Sequence, residues 1–221
     1  MAPNTTSTGT GEDTALVRYD ISLLTPEDFY LFNEGSHYRI YEKLGAHLHD
    51  AAGVQGTVFS VWAPNAHHVS VIGSFNDWNP DSHPLRARGS SGIWEGFIPG
   101  VTKGALYKFH IVSTQLGYES ERADPIAILD EKPPLTASVV WDLNYTWNDA
   151  AYLEKRGGLN STHAPISIYE VHLGSWMRIP EEGNRSLTYR EIAPKLADHV
   201  TKMGFTHVEL LPIMEHPFYG S

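Results

Sequence analysis

The chain has 221 residues, and its 16 Lys and Arg against 26 Asp and Glu leave a formal net charge of −10 at neutral pH. A chain this acidic is a poor match for nucleic acid or an anionic membrane surface, because both are polyanions. It contains no cysteine, which excludes disulfides, thiolate zinc sites and cysteine nucleophiles. Hydrophobic residues make up 41% of the chain, enough to build a core, but no apolar run reaches the 18 residues of a membrane span.

The N-terminal region combines an unstructured composition with one helix signal. Residues 1–14 are rich in Thr, Ser and Gly, and they lack the basic and apolar runs of a secretory signal. We therefore predict a disordered leader over residues 1–20 and a cytoplasmic protein. Thr25 precedes a proline and two acidic residues, an arrangement typical of a helix N-terminus. A short helical lead-in is predicted over residues 21–37.

Residues 38–145 have the pattern of short strands separated by turns. Apolar, β-branched and aromatic residues cluster in short segments, with no helical period between them. This spacing predicts an antiparallel β-sandwich. A loop that contains Asn, Asp and Trp follows the second strand. The predicted strands are 57–62, 68–73, 93–98, 106–112 and 137–140.

The pattern changes after a linker predicted at residues 146–165. Residues 165–173 predict a strand, residues 187–203 an amphipathic helix, and residues 205–212 a second strand. A strand–helix–strand unit repeats in parallel barrels, and an eightfold barrel needs about 250 residues. We therefore expect residues 166–221 to be the incomplete start of such a barrel, in the N-terminal fragment of a longer protein.

Five segments carry a resemblance to known families. Ser-Phe-Asn-Asp-Trp-Asn at residues 74–79, Tyr-Lys-Phe at 107–109 and Asp-Pro at 124–125 resemble the glycogen-binding β-sandwich of carbohydrate-binding module family 48. Tyr-Glu-Val-His-Leu-Gly-Ser-Trp at residues 169–176 is similar to the first barrel strand of 1,4-α-glucan (glycogen) branching enzymes, in the α-amylase superfamily. Residues 204–217 are similar to the second barrel strand and its loop in the same enzymes.

The resemblance implies a fold and an activity. The fold would be an immunoglobulin-like family 48 β-sandwich over residues 38–145, followed by the start of a (β/α)8 barrel. The activity would be the transfer of α-1,4-glucan segments to 6-hydroxyls, through a covalent glycosyl-enzyme intermediate and without a cofactor. The partner would be glycogen or an amylose-like chain. The catalytic carboxylates of the superfamily come from later barrel strands, so residues 1–221 are expected to be inactive alone.

Trp78 is the main candidate for glucan contact. It lies on a polar loop where no core periodicity requires a large ring. A flat indole covers the apolar C–H face of a pyranose while its N–H stays in water. The flanking Asn76 and Asp77 are available for sugar hydroxyls. From the residues alone, an ordinary exposed loop tryptophan fits equally well, and the resemblance favours glucan contact.

Three further residues complete the predicted glucan-binding set. Lys108 lies on the solvated face of an alternating strand, and the resemblance implies that it donates to a sugar hydroxyl. Trp94 and Tyr118 are further ring candidates, although Trp94 fits a core position as well. Several branching-enzyme modules are thought to have lost tight binding at this face. No metal site is predicted, because the close histidine pairs lack a third ligand.

Two other functions fit the sequence. A non-catalytic glycogen-binding module would use the sandwich alone and would have no need of residues 166–212. A debranching hydrolase shares the two-domain layout and differs in barrel loops. Glu170 and His172 share one face of the first predicted barrel strand, either filling the barrel interior or lying near its catalytic face. Glu209 and Glu215 are interpreted as structural rather than catalytic.

Overall fold

A computed structural model describes residues 16–115, 117–159 and 161–214. The chain divides into two compact units, the first ending at Asn144 and the second beginning at Tyr145. Among the described residues, no helix has both the length and the apolar character that a membrane span requires.

The described residues of the first unit form one α-helix, one short 3₁₀ helix and nine strands. The helices are α1 (Pro26–Glu34) and the 3₁₀ turn Ile40–Glu42. The strands are β1 (Gly45–Ala51), β2 (Val54–Trp62), β3 (Ala66–Gly73), β4 (Arg86–Ala87), β5 (Ile93–Pro99), β6 (Leu106–Ser113), β7 (Glu119–Arg122), β8 (Leu129–Asp130) and β9 (Ser138–Val139).

These strands form two antiparallel sheets. The first sheet has the order β1-β2-β5-β4, and the second has the order β3-β6-β9-β8, with β7 also paired to β6. Phe59 and Ile98 from the first sheet pack against Val71 and Phe109 from the second, and all four are buried. Each such side chain contributes roughly 1.5–3 kcal/mol by leaving water. The predicted β-sandwich is confirmed.

The first sheet is buried on both faces, which simple strand alternation does not predict. Val58 and Phe97 point away from the sandwich core, yet both are fully buried. Ile21 and Leu23 of the N-terminal segment pack against them. The chain before β1 therefore forms a third layer over the outer face of this sheet.

The predicted leader over residues 1–20 is too long at its C-terminal end. Val17 is buried in the sandwich core. Arg18 exchanges two backbone hydrogen bonds with Phe97, its N–H donating over 2.8 Å and its carbonyl accepting over 2.9 Å. The ordered chain thus begins before Ile21, because these residues extend a sheet edge. Residues 1–15 lie outside the described part of the chain.

Helix α1 begins with a reciprocal cap. The Asp28 backbone N–H donates to the Thr25 hydroxyl, and the Asp28 carboxylate accepts from the Thr25 backbone N–H at 2.7 Å. The same carboxylate lies 2.8 Å from His37 Nε2 and 3.9 Å from Lys43 Nζ. Burial by itself raises the pKa of Asp28, but the bonds from Thr25 and His37 and the Lys43 charge outweigh it and lower that pKa to about 2.

The second unit contains a short parallel pair of strands and a long amphipathic helix. Its helices are α2 (Ala150–Leu159), α3 (Leu173–Trp176), α4 (Tyr189–Met203) and a 3₁₀ turn, Pro180–Glu182. Its strands are β10 (Ile168–Val171), β11 (Arg178–Ile179), β12 (Arg185–Ser186) and β13 (His207–Leu210). Helix α2 lies within the segment that the sequence predicted as a linker.

Strands β10 and β13 are parallel, and helix α4 covers one side of β10. Ile192, Leu196 and Val200 of α4 form a small buried cluster with Val171 of β10. All four residues of β13 are exposed. The strand–helix–strand order predicted from the sequence is present, with one face of the strand pair open.

Replacing Asp28 with Asn tests the cap. The difference between a pKa of about 2 and the ordinary 3.8 corresponds to about 2 kcal/mol of stability at neutral pH. Because the folded pKa is depressed, this contribution is complete above about pH 4 and is lost as the pH falls toward 2. Urea unfolding should therefore show Asp28→Asn less stable at pH 7, with a smaller difference at pH 3.

The exposed neighbour Glu27 provides a matched control, because it carries the same charge in the same helical turn. Glu27→Gln should change stability by less than about 1 kcal/mol, through the helix dipole alone. Equal destabilisation by the two substitutions would contradict the role given to the Asp28 contacts.

Candidate functional site: the loop after β3

Asn76 organises the loop that follows β3. Its side-chain oxygen accepts from the Gly73 backbone N–H at 2.8 Å, and its amide nitrogen donates to the Val71 carbonyl at 3.0 Å. The same nitrogen lies 2.9 Å from His83 Nδ1 and 3.0 Å from the Ser82 hydroxyl. The Asn76 amide is thus engaged inside the loop, which favours a structural role for this side chain, and its contact with sugar hydroxyls stays a prediction.

The loop holds two consecutive non-glycine residues in the left-handed region. Asp77 has φ +53° and Trp78 has φ +58°. Such conformations cost on the order of 1–3 kcal/mol each and persist only where the surroundings impose them. Here the Trp78 N–H donates to the Gly73 carbonyl at 3.0 Å, closing the turn. The Trp78 side chain, 38% exposed, is thereby presented at the loop surface.

His83 closes the loop from its far end. It is 7% exposed, its ring makes an edge-to-face contact with Phe75 at 5.4 Å, and burial lowers its pKa below the ordinary 6.5. Its carbonyl accepts from the Val71 N–H at 3.0 Å, so this segment pairs with the edge of β3. No local sequence pattern links His83 to Asn76, so this residue could not be predicted as part of the loop.

Lys108 lies at the same end of the second sheet as the Trp78 loop. In β6, Tyr107 and Phe109 are buried in the core, so the intervening Lys108 belongs to the outer face. Its register partner is Ile72, and Gly73, where the loop starts, pairs with Tyr107. Within the described part of the chain, the half-buried Lys108 ammonium has no hydrogen-bond or ion-pair partner. It remains available to a ligand.

Trp94 and Tyr118 are not brought to this loop. Trp94 belongs to β5 of the other sheet, where its indole N–H donates to the Ala63 carbonyl at 3.1 Å and its ring packs against the core. Tyr118 is 61% exposed, but its carbonyl accepts from Ser113, five residues along β6 from Lys108. Five residues of strand span about 17 Å. Of the four candidates, the Trp78 loop and Lys108 lie at the same end of the second sheet, and glucan contacts by all four stay predictions.

The second unit carries polar groups at the carboxyl end of its parallel strands. His172 follows β10, and its Nδ1 lies 2.9 Å from the Ser175 hydroxyl. Glu170 and His172 are exposed while Val171 is buried against α4, as the alternation predicted. Glu170 and Glu209 are direct register partners. The described residues contain no group of three or more His, Asp or Glu that could hold a metal, and Glu215 lies outside them.

Comparison with known proteins identifies relatives of both units. Residues 43–127 match the family model of carbohydrate-binding module 48 (isoamylase N-terminal domain). A 1,4-alpha-glucan branching enzyme from Aquifex aeolicus is 54% identical over 201 residues, which is 90% of this chain, and one from Myxococcus xanthus is 54% identical over 196 residues. This chain is a relative of 1,4-alpha-glucan branching enzymes.

The predicted resemblance to branching enzymes is therefore confirmed. The chain spans 32% of the Aquifex branching enzyme and 27% of the Myxococcus one, about a third or less of their lengths. Among solved structures, pullulanase from Klebsiella pneumoniae complexed with maltotriose matches with a TM-score of 0.52 and 28% identity. That match covers 79% of this chain and 18% of the pullulanase chain.

Replacing Gly73 with Ala tests the packing at the base of the loop. An added Cβ would lie 2.7 Å from a Phe75 ring carbon and closer still to the Leu106 carbonyl oxygen. Overpacking of this kind typically costs 1–3 kcal/mol, so we expect about that loss in thermal unfolding experiments. Gly157 in α2 is the control, because its Cβ would meet no atom within 4 Å. Gly157→Ala should leave stability unchanged or slightly higher, and an unchanged melt for Gly73→Ala would refute the packing argument.

Proposed function

We propose that this chain serves in glycogen branching, in the cytoplasm, as a part of a 1,4-α-glucan branching enzyme that binds α-glucan. The whole enzyme would cleave an α-1,4 linkage, hold the chain as a covalent glycosyl-enzyme and transfer it to a 6-hydroxyl. The 54% identity to named branching enzymes over 90% of the chain supports the reaction class. In this proposal the first unit binds glucan and does not contribute the catalytic step.

The observation that carries the proposal is that the loop with the exposed Trp78 and the outward-facing Lys108 lie at the same end of the second sheet. The loop accepts two left-handed residues and uses the Asn76 amide internally, and the result is a half-exposed indole at one end of the second sheet. An indole face suits the apolar C–H face of a pyranose. The Lys108 ammonium, which can only donate, has no partner among the described residues and can donate a hydrogen bond to a sugar hydroxyl. One ring and one donor form a small contact, so the affinity should be weak.

The open parallel strand pair supports the second half of the proposal. Parallel strands are normally covered on both faces, yet α4 packs against one side of β10 only, and every residue of β13 is exposed. We propose that these elements are the first strand–helix–strand of a (β/α)8 barrel. In a barrel, the open face would pack against side chains from other strands, and the carboxyl ends of the strands would face substrate.

Two alternative functions are weaker. A non-catalytic glycogen-binding module would not account for the identity that continues through the second unit. A debranching hydrolase is suggested by the pullulanase likeness, but that chain is 28% identical, against 54% for the Aquifex branching enzyme. A nucleic-acid partner does not suit the net charge of −10.

Trp78→Ala tests the glucan site. We expect wild-type dissociation constants for maltoheptaose near the millimolar range, about −4 kcal/mol. Removing the ring should abolish measurable binding in calorimetry, while the melting temperature hardly changes, because the ring is half-exposed and leaves no core cavity. Lys108→Gln should weaken binding less, since a hydrogen bond of this kind contributes about 0.5–1.5 kcal/mol net.

Trp147 is the matched control for Trp78, because it is an exposed tryptophan of the second unit. Trp147→Ala should leave glucan affinity unchanged. A large drop in the melting temperature of Trp78→Ala would identify the ring as a core residue. Unaltered binding in that variant would place any glucan site elsewhere.

A further prediction is that residues 1–221 have no catalytic activity of their own. Retaining transfer requires two carboxyl groups about 5–5.5 Å apart across the scissile bond, with one of them protonated. Glu170 and Glu209 are neighbours in register, but both are exposed on an open strand pair, where nothing excludes water or shapes a substrate cleft. We expect residues 1–221 to show no turnover of amylose in iodine-absorbance and reducing-end assays. Turnover that Glu170→Gln abolished would contradict this expectation.

A further inference from the structure

The orientation of the Asn76 amide determines which groups can face it. Its oxygen accepts from the Gly73 N–H and its nitrogen donates to the Val71 carbonyl, at 2.8 and 3.0 Å. Exchanging the two amide atoms would place donor against donor and acceptor against acceptor. The nitrogen therefore also faces His83, 2.9 Å from Nδ1. One of the two amide hydrogens serves Val71, and the other faces Nδ1 and the Ser82 hydroxyl, which itself lies 2.8 Å from Nδ1 and 3.1 Å from the Asn79 carbonyl. The arrangement in which Nδ1 accepts from Asn76 and the Ser82 hydroxyl donates to Asn79 requires a neutral imidazole with its proton on Nε2.

The two residues together fasten the loop to β3 at both ends. Asn76 binds Gly73 and Val71 near the loop start, while the backbone of His83 binds Val71 near the loop end. The strained residues Asp77 and Trp78 lie between these points. Two side-chain contacts of the Asn76 nitrogen join the two ends, one to His83 Nδ1 at 2.9 Å and one to the Ser82 hydroxyl at 3.0 Å.

We propose that His83 is a positioning residue for glucan binding, whose neutral imidazole holds Asn76 and so keeps the Trp78 indole presented to the sugar. The inference rests on the proposed glucan site at Trp78. Protonation of Nδ1 would place an N–H against the Asn76 N–H, and the contact between Asn76 and His83 would be lost, which leaves Asn76 joined to the loop end through the Ser82 hydroxyl alone. Glucan affinity should therefore fall in acid although His83 never touches the sugar.

The surroundings of His83 allow this titration to be isolated. The groups in contact with its ring are uncharged: Asn76, Ser82 and Phe75. The charged residues of the loop are Asp77 and Asp81, and neither forms an ion pair with the imidazole within the described part of the chain. Tyr19, which packs nearby, donates its hydroxyl to the Pro84 carbonyl at 2.7 Å. Burial lowers the pKa of His83 below 6.5, so the loss of affinity should begin below about pH 6.5.

The experiment measures maltoheptaose affinity of the full 221-residue chain by calorimetry between pH 7.5 and pH 5. Wild type should lose at least threefold in affinity across this range. His83→Asn keeps an acceptor oxygen near the position of Nδ1 but does not titrate, so its affinity should be close to wild type at pH 7.5 and flat with pH. His83→Leu removes the acceptor and should weaken binding at every pH, by about tenfold. His67→Asn, at an exposed histidine, should retain the wild-type profile.

A second readout separates this inference from the proposed function. The indole N–H resonance of Trp78, assigned by its loss in Trp78→Ala, should shift in acid for wild type and stay in place for His83→Asn. If the wild-type chain binds no glucan, the proposed glucan site is wrong. The pH dependence of the Trp78 resonance still tests whether His83 positions the loop. A wild-type pH profile in His83→Asn, for affinity or resonance, would overturn the inference. That variant decides the matter even if His83→Leu fails to fold.

Discussion

A buried hydrogen bond between Tyr107 and Asp124 determines the register on which the candidate site depends. The Tyr107 hydroxyl donates to the Asp124 carboxylate at 2.6 Å, and both side chains are buried. Burial raises the pKa of both groups. Tyr107 also packs edge-to-face on Phe59 of the opposite sheet, with ring centroids 5.0 Å apart. With Tyr107 fixed inward, Lys108 must face outward, beside the strand position where the Trp78 loop begins.

The same contact explains why two separated sequence motifs belong together. Tyr107 of the Tyr-Lys-Phe motif (107–109) and Asp124 of the Asp-Pro motif (124–125) are 17 positions apart in the sequence, yet their side chains meet in the core. Asp124 also accepts from the Ile126 N–H at 2.9 Å, and its own N–H donates to the Ser138 hydroxyl at 3.0 Å. A carboxylate with this many partners tolerates burial, because its oxygens stay hydrogen-bonded away from water.

Local patterns predicted the elements well, and long-range contacts account for the rest. The five predicted strands correspond to β2, β3, β5, β6 and β9, and the α1 cap and helix α4 follow from capping residues and helical spacing, whereas β1, β4, β7 and β8 were not predicted. The sequence pattern placed Val17 in a polar leader. In the structure Val17 is buried, because the neighbouring Arg18 pairs with a sheet edge. In the site, Trp78 and Lys108 could be proposed from family motifs, whereas His83 could not. Its partner Asn76 is seven residues away in a loop with no period, so only the folded backbone brings them together.

A weak, exposed sugar site would require its loop to be ordered before the sugar binds. Association with a ligand already costs several kcal/mol, and a single ring with one donor leaves little surplus to order a flexible segment as well. The loop is therefore ordered before glucan arrives. Asn76 offsets the strain at Asp77 and Trp78 with hydrogen bonds made inside the protein. These hydrogen bonds do not involve the sugar. For the proposed glucan site, affinity would depend on the hydrogen bonds beneath the indole as well as on the indole itself, and this is the basis for the positioning role proposed for the buried His83.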